Sequence, residues 1–204
     1  MKTIYLIRHA ESLANSGGRS LPDREIPLSA TGQKQAEKLI TRLPAIPCIF
    51  TSEFLRTQQT AAPYLSHWGF QANALAELNE FSYLPLEWID NMTAEQRRPM
   101  STAYWARANP LEKCGQNTDS FAEFSQRIDD FLIKAADFPA QSLCFTHGIW
   151  IAMLTWKLLG FPTDTSEAMQ KFRQFQPHLP MANTAIWELQ QNHQGNRQIR
   201  SSAL

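Results

Sequence analysis

An arginine and a histidine lie together where a short apolar run ends, near the amino terminus. Arg8 and His9 directly follow Thr3–Ile7, whose β-branched and aromatic residues predict a buried strand. In open α/β sheets, ligands collect outside the carboxyl ends of the strands. An imidazole there can act as a nucleophile, and a neighbouring guanidinium can hold an anion. Taken alone, the pair is equally well explained as the polar end of a strand.

A second apolar run ends in the same way. Leu143–Thr146 is followed by His147 and Gly148, and the apolar residues 149–154 after them predict a buried helix. Two predicted strands therefore each place a histidine at their carboxyl end. This recurrence favours a shared chemical site over two unrelated polar strand ends.

Arg56 follows a third apolar run, Cys48–Phe50, and falls in the first turn of a predicted helix. The amino end of a helix attracts anions, so a cation there is unfavourable unless an anion binds as well. An arginine in that turn can grip a phosphate through two hydrogen bonds. The alternative is an ordinary solvated side chain, which is the better explanation if Arg56 is considered by itself.

Glu80 ends the next predicted strand region, among the apolar neighbours Leu78 and Phe81. An apolar cover raises the pKa of a carboxyl group and nearby arginines lower it, so Glu80 could serve as a proton donor. The alternative is a solvated carboxylate in a turn. Glu77, three residues earlier, is expected to have that ordinary role.

Alternating strand and helix patterns predict an α/β fold, and we expect one domain over residues 1–204. The predicted architecture is a three-layer sandwich with a mostly parallel central sheet and helices on both faces. Residues 81–118, rich in aromatics and broken by prolines, predict a small helical cap insertion. Residues 161–180 look irregular, and a polar tail is expected from about residue 191.

Helix-capping residues support three of these elements. Ser29 is a candidate N-cap for a helix whose apolar residues recur at helical spacing. Asp119 or Ser120 can begin a later helix, and Gly160 is placed to end the helix after His147.

Composition excludes several classes of protein. The 204 residues carry 19 basic and 19 acidic side chains, which argues against a general nucleic-acid or anionic-membrane binder. Three cysteines without a Cys-x-x-Cys pair are consistent with a reducing compartment. The amino terminus lacks the apolar region of a signal peptide, and no run reaches the roughly 20 apolar residues of a spanning helix. These features predict a cytoplasmic protein.

A metal site is the main competing use of the histidines. Zinc ligands usually come in close sequence pairs. The five histidines are instead scattered along the chain: His9, His67, His147, His178 and His193. We therefore expect neither a metal nor another cofactor. We also expect no role in the site for His67, His178 and His193.

Five segments together resemble the motifs of the histidine phosphatase superfamily, also called phosphoglycerate mutase-like proteins. They occur in the family's order over residues 3–189, and each would be weak alone. The segments are Leu6–Ser12 with Asn15 behind it, Pro27–Ala36, Ser52–Ala61, Leu78–Glu80 and Thr146–Gly148.

The resemblance implies a metal-independent phosphatase that acts on a small phosphomonoester. His9 would attack phosphorus and form a phosphohistidine, while its other ring nitrogen donates to an acceptor such as a backbone carbonyl. Glu80 would protonate the leaving alcohol and then activate water. The residues implied to surround the phosphoryl oxygens are Arg8, Asn15, Arg56 and His147.

The chain departs from the family pattern at two places. Ala10 replaces a glycine that many relatives have after the first histidine, which is a mild change. Residues 81–88 differ from the stretch that usually follows the catalytic acid. The substrate therefore cannot be copied from relatives, and the oligomeric state is not predicted.

Two other functions are compatible with the same scaffold. A phosphoglycerate mutase would need a more basic cap, whereas here four basic residues face four acidic ones over residues 81–116. A non-catalytic phospho-ligand or protein-binding module would be expected to lack one of the reacting groups.

The cap itself allows two interpretations of its conspicuous side chains. Arg97 and Arg98 could clamp a carboxylate or second phosphate, but a solvated helix face is favoured. Four cap aromatics are more simply core residues, although together they would suit a substrate with a ring. They are Tyr83, Trp88, Tyr104 and Trp105.

Overall fold

The computed structural model describes residues 1–202, and its strands form one six-stranded sheet. The strands are β1 (Lys2–Arg8), β2 (Ile49–Thr51), β3 (Asn73–Ala74), β4 (Gln141–Thr146), β5 (Ile186–Gln191) and β6 (Arg197–Ser201). Their order across the sheet is β3-β2-β4-β1-β5-β6. Strands β1 to β4 are parallel to one another, whereas β5 pairs antiparallel with β1 and β6 pairs antiparallel with β5. The predicted mostly parallel sheet is confirmed.

Helices cover both faces of the sheet. They are α1 (Ala30–Arg42), α2 (Leu55–Trp68), α3 (Leu86–Ile89), α4 (Ala94–Arg107), α5 (Phe121–Lys134), α6 (Gly148–Leu158) and α7 (Ser166–Phe175). Successive side chains of a strand point to opposite faces. Accordingly, Ile4 and Leu6 of β1 belong to the core shared with α5, α6 and α7. Tyr5 and Ile7 belong to the core shared with α1 and α2, which gives the three layers.

The predicted caps lie at the expected helix ends. The Ser29 hydroxyl accepts a hydrogen bond from the Gly32 amide at 3.0 Å. Ser120 and Glu123 form a reciprocal capping box at the start of α5. Gly160 follows α6 with a left-handed φ of 82°, as a helix-terminating glycine requires.

Three parts of the chain differ from the prediction. Residues 161–180 contain helix α7, which buries Ala168, Met169 and Phe172. The residues after 191 form strand β6 rather than a free tail, because they pair with β5. Third, the strand region predicted before Glu80 shortens to the two residues of β3.

The cap segment contains the short helix α3 and the longer α4, as predicted. Tyr104 and Trp105 of α4 are buried and pack with Phe81. Trp88 is exposed. The cap aromatics therefore mainly join the cap to the core. In residues 1–202, no helix is both long and apolar enough to cross a membrane.

Gly32 allows helix α1 to pack against the loop that follows His9. A Cβ atom built on Gly32 would lie 2.0 Å from the backbone oxygen of Glu11. The same Glu11 accepts hydrogen bonds from the Ser29 amide at 2.9 Å and from the Ser29 hydroxyl at 2.6 Å. The close approach therefore fixes the path of the chain just beyond the first histidine.

We expect Gly32→Ala to destabilise the protein by roughly 1–3 kcal/mol, because the added methyl meets backbone rather than a movable side chain. Urea unfolding measures this change. The matched control is Gln33→Ala, an exposed position in the same turn of α1, which should stay within about 0.5 kcal/mol. Equal stability of the two variants would contradict the close packing.

Candidate active site

The two histidines meet because β1 and β4 are neighbouring parallel strands. Their register pairs Arg8 with Thr146, the last residues of the two strands. A histidine follows each of these residues, so the register places the two histidines side by side. The His9 amide donates to the Thr146 oxygen at 2.9 Å. The two imidazole centroids lie 5.2 Å apart, and both side chains are buried. The strand ends thus place both rings in one site.

His9 is held in a defined tautomer. Its Nδ1 lies 2.7 Å from the backbone oxygen of Ala10; since a carbonyl only accepts, Nδ1 carries the hydrogen and Nε2 keeps its lone pair. The Ala10 amide in turn donates to the Thr60 hydroxyl at 2.9 Å. Burial, followed by the charge of Arg56, holds the pKa of His9 well below its usual value. A neutral imidazole with a free Nε2 can act as a nucleophile.

His147 is also kept uncharged. Burial and then the charge of Arg56 hold its pKa well below the usual value. Its Nε2 lies 2.8 Å from the Ser52 hydroxyl, which is 2.7 Å from the Thr57 hydroxyl. Its Nδ1 is buried without a hydrogen-bond partner in the described structure. An unsatisfied buried ring nitrogen is costly, so a ligand atom that paired with it would be favoured.

Two arginines bring positive charge to the histidines. Arg56 lies in the first turn of α2, and its Nη1 donates to the Asp23 backbone oxygen at 2.6 Å. Arg8 donates through Nη1 to the Met181 backbone oxygen, while its Nε is buried without a partner in residues 1–202. Neither guanidinium forms a salt bridge within these residues. Arg56 is buried and Arg8 is half-buried. Cations of this kind, whose hydrogen bonds go to neutral oxygens, attract an anion.

Glu80 lies close to both arginines. Its Oε1 accepts from the Phe81 amide and its Oε2 from the Ile149 amide, each at 3.0 Å. Burial raises the pKa of Glu80, and these two hydrogen bonds and the arginine charges oppose the rise. The carboxyl group can therefore hold a proton at a higher pH than an exposed glutamate.

Asn15 presents its amide group as a donor. Its Oδ1 lies 3.3 Å from both the Ser12 amide and Asn183 Nδ2. Because the oxygen is occupied, the NH₂ group is left for a ligand. Asn183 also donates to the His9 backbone oxygen at 3.1 Å, so it connects the two predicted site residues.

One cavity of about 390 Å³ is shared by most of the predicted residues. The side chains that line it include Arg8, His9, Asn15, Arg56 and Glu80. His147 is fully buried and is not part of the cavity lining, although its ring lies next to that of His9. We name this space the phosphoryl pocket, because its arginines and the neutral His9 imidazole suit a tetrahedral oxyanion.

Arg97 corrects the interpretation of the cap. It was expected on a solvated helix face, but it is partly buried and lines the phosphoryl pocket, whereas Arg98 is exposed. The two cavities described for residues 1–202 give no support to the hypothesis that the cap aromatics bind a ring of the substrate. Neither cavity is lined by Tyr83, Trp88, Tyr104 or Trp105.

The remaining histidines lie outside the site. His67, His178 and His193 are exposed. Within the described residues, no group of three or more His, Cys, Asp or Glu side chains could hold a metal ion.

Sequence reasoning missed the residues that orient the site. Ser52, Thr57 and Thr60 lie inside the Ser52–Ala61 motif, so their proximity to Arg56 was the available signal. Asn183 lies in a segment without a recognisable pattern. Only the folded chain brings it to His9.

The chain is similar in sequence to known proteins. A sequence model described as Histidine phosphatase superfamily (branch 1) matches residues 4–201. The Adenosylcobalamin/alpha-ribazole phosphatase of Escherichia coli (strain K12) is 29% identical over 174 residues, which cover 83% of this chain and 84% of that protein. The Klebsiella pneumoniae protein named Probable phosphoglycerate mutase GpmB is 31% identical over 172 residues, 79% of this chain and 77% of that protein.

Solved structures show the same fold. The alpha-ribazole phosphatase from Shigella flexneri superimposes with a TM-score of 0.75 at 23% identity, covering 98% of this chain and 95% of that one. A mycobacterial glucosyl-3-phosphoglycerate phosphatase gives a TM-score of 0.71 at 20% identity, with 100% and 99% covered. At these identities the likeness establishes the fold and not the substrate.

Proposed function

Because the chain belongs to the histidine phosphatase superfamily (branch 1), whose members here include phosphatases and mutase-like proteins, we propose that it hydrolyses phosphomonoesters through a phosphohistidine on His9. The observation that carries the proposal is the meeting of two neutral, buried imidazoles 5.2 Å apart beside Arg8 and Arg56, neither of which forms a salt bridge within residues 1–202. Such a site binds an anion and offers it a nucleophile.

In the first step, His9 Nε2 attacks phosphorus and the phosphorus–oxygen bond of the ester breaks. Arg8 and Arg56 neutralise the phosphoryl oxygens, and the Asn15 amide and His147 Nδ1 add hydrogen bonds. Glu80 gives its proton to the departing alcohol oxygen. The Nδ1–H bond to the Ala10 oxygen stabilises the charge that develops on the His9 ring.

In the second step, water attacks the phosphohistidine and the phosphorus–nitrogen bond breaks. Glu80, now a carboxylate, takes a proton from that water. Inorganic phosphate leaves and His9 returns to its neutral form. Positioning and charge neutralisation supply the catalysis, so the proposed reaction uses no metal ion.

A panel of phosphomonoesters, assayed with EDTA-treated protein, tests the proposal. We expect phosphate release from p-nitrophenyl phosphate and from at least one alkyl ester, undiminished by chelation. Isomerisation of phosphoglycerate faster than phosphate release would instead assign a mutase. Failure to release phosphate or to form any phosphoenzyme would indicate a non-catalytic binding module.

A further inference from the structure

A second, larger cavity adjoins the phosphoryl pocket at Glu80. Its volume is about 770 Å³, and it shares Asp23 and Glu80 with the phosphoryl pocket. In the proposed reaction Glu80 protonates the oxygen of the leaving alcohol, so that oxygen must lie beside this carboxyl group. The remainder of the alcohol then extends into the larger space, which we call the alcohol cavity.

The cations of the alcohol cavity are all neutralised by ion pairs. Arg24 pairs with Glu53 at 2.8 Å, Lys113 with Glu123 at 2.9 Å, and Arg127 with Asp119 at 2.5 Å. Because each positive charge already has a carboxylate partner, these pairs add no net positive charge that would favour an anionic group of the substrate.

Three carboxylates of the same cavity have no such partner. Asp23, Glu25 and Glu87 line the cavity, and none forms a salt bridge within residues 1–202. The Asp23 carboxylate accepts a hydroxyl hydrogen bond from Ser82 at 2.6 Å and also interacts with the charge of Arg56, so Glu25 and Glu87 carry most of the unpaired charge. The unbalanced charge of the cavity is therefore negative, opposite in sign to that of the phosphoryl pocket.

Part of the cavity wall is apolar. Leu84, Pro85, Leu86 and Ile89 from the cap face the space, together with Leu21 across it. A pocket of this size, with an apolar wall and a few polar groups, is suited to a small organic ligand rather than to phosphate alone.

We infer that the alcohol part of the substrate is bulky, uncharged or cationic, and has an apolar face, and that the alcohol cavity discriminates against anionic alcohols. This inference rests on the proposed phosphatase activity and specifies its substrate class. Discrimination arises because an anionic leaving group would lie near the unpaired carboxylates, and the ion pairs add no net positive charge to offset them.

Three aryl phosphates of matched size test the inference: para-carboxyphenyl, para-carbamoylphenyl and para-(aminomethyl)phenyl phosphate. We measure kcat/KM for each with the wild type and with Glu25→Gln/Glu87→Gln. The double variant should raise the ratio of the carboxylate ester to the amine ester about fivefold, as expected for two partly screened charges. Comparing ratios between proteins cancels the intrinsic reactivity of each ester.

Asp90→Asn/Glu95→Gln is the matched control, because both residues are exposed in the cap, carry the same charge and lie outside the alcohol cavity. It should leave the ratio unchanged. In the wild type, the same ratio should rise when ionic strength increases from about 0.01 M to about 1 M, since the screening length falls from ~30 Å to ~3 Å.

The outcomes separate the two proposals. If the wild type hydrolyses none of the three esters or p-nitrophenyl phosphate, the proposed function fails and the inference falls with it. If all are hydrolysed but neither the double variant nor salt changes the ratio, the phosphatase stands and the alcohol-cavity inference is overturned. An equal effect of the control pair would also overturn it.

Discussion

His9→Ala should lower kcat for p-nitrophenyl phosphate by at least about 10⁴-fold, because the proposed reaction loses the atom that attacks phosphorus. Arg8 and Arg56 remain in the variant, so the phosphoryl pocket should still bind an anion. Calorimetric titration with inorganic phosphate measures the affinity of the inactive variant for this anion. That affinity should change far less than kcat.

A phosphoenzyme assay completes this test. The wild type, quenched rapidly after mixing with a labelled phosphomonoester, should carry an acid-labile phosphoryl group that is missing from His9→Ala. His178→Ala is the matched control, because His178 is exposed, lies outside both cavities and has its ring hydrogen-bonded to the Gln174 oxygen at 2.8 Å. Turnover of His9→Ala at the rate of this control would contradict the mechanism.

Glu80→Gln should slow hydrolysis of alkyl phosphates by about 10²–10⁴-fold, the usual contribution of a general acid. The loss of kcat/KM with p-nitrophenyl phosphate should be much smaller, since nitrophenolate departs without being protonated. The comparison of kcat/KM for the two esters measures this, because kcat/KM reports the steps up to phosphohistidine formation and excludes its hydrolysis, in which Glu80 also acts. Glu77→Gln is the control, because Glu77 forms an ion pair with Lys134 at a distance of 2.5 Å and lines neither cavity. Equal losses with both esters would remove Glu80 from the role of acid.

The pH dependence follows from the direction of the Glu80 shift. Burial raises its pKa, so the donor form persists above the usual range of a glutamate, and wild-type turnover of alkyl phosphates should fall as pH rises through that raised pKa. The folded state also binds this proton more tightly than the unfolded chain does. Its contribution to stability is therefore lost as pH rises through the folded pKa, and Glu80→Gln should not show that loss.

The histidines set the other side of the pH profile. Burial and Arg56 lower the pKa of both His9 and His147, so His9 stays neutral below the ordinary value of about 6.5. Below that ordinary value the unfolded chain takes up protons that the folded state refuses, and these residues then contribute a loss of stability as pH falls. Activity should consequently persist to lower pH than a solvated histidine nucleophile would allow.

Local patterns were sufficient for much of the fold. The apolar run of β1, the Ser29 cap and the Gly160 stop depend on neighbours within a few residues, and each lies where the pattern predicted it. Helix α7 and strand β6 were missed for a different reason. The buried face of α7 is short and flanked by polar residues, and β6 is polar but gains its structure from pairing with β5 and from the Arg200–Glu188 contact at 2.7 Å.

Local sequence patterns specify which charged residues follow which strands, because strand and helix periodicity and capping chemistry are short-range. How these residues interact depends on the tertiary structure: the β1–β4 register brings His9 to His147, and Asn183 reaches His9 across the molecule. It also decided that Arg97 faces the phosphoryl pocket while Arg98 does not. Likewise, each cation of the alcohol cavity pairs with a carboxylate 8 to 29 positions away, which is beyond the reach of helix or strand periodicity.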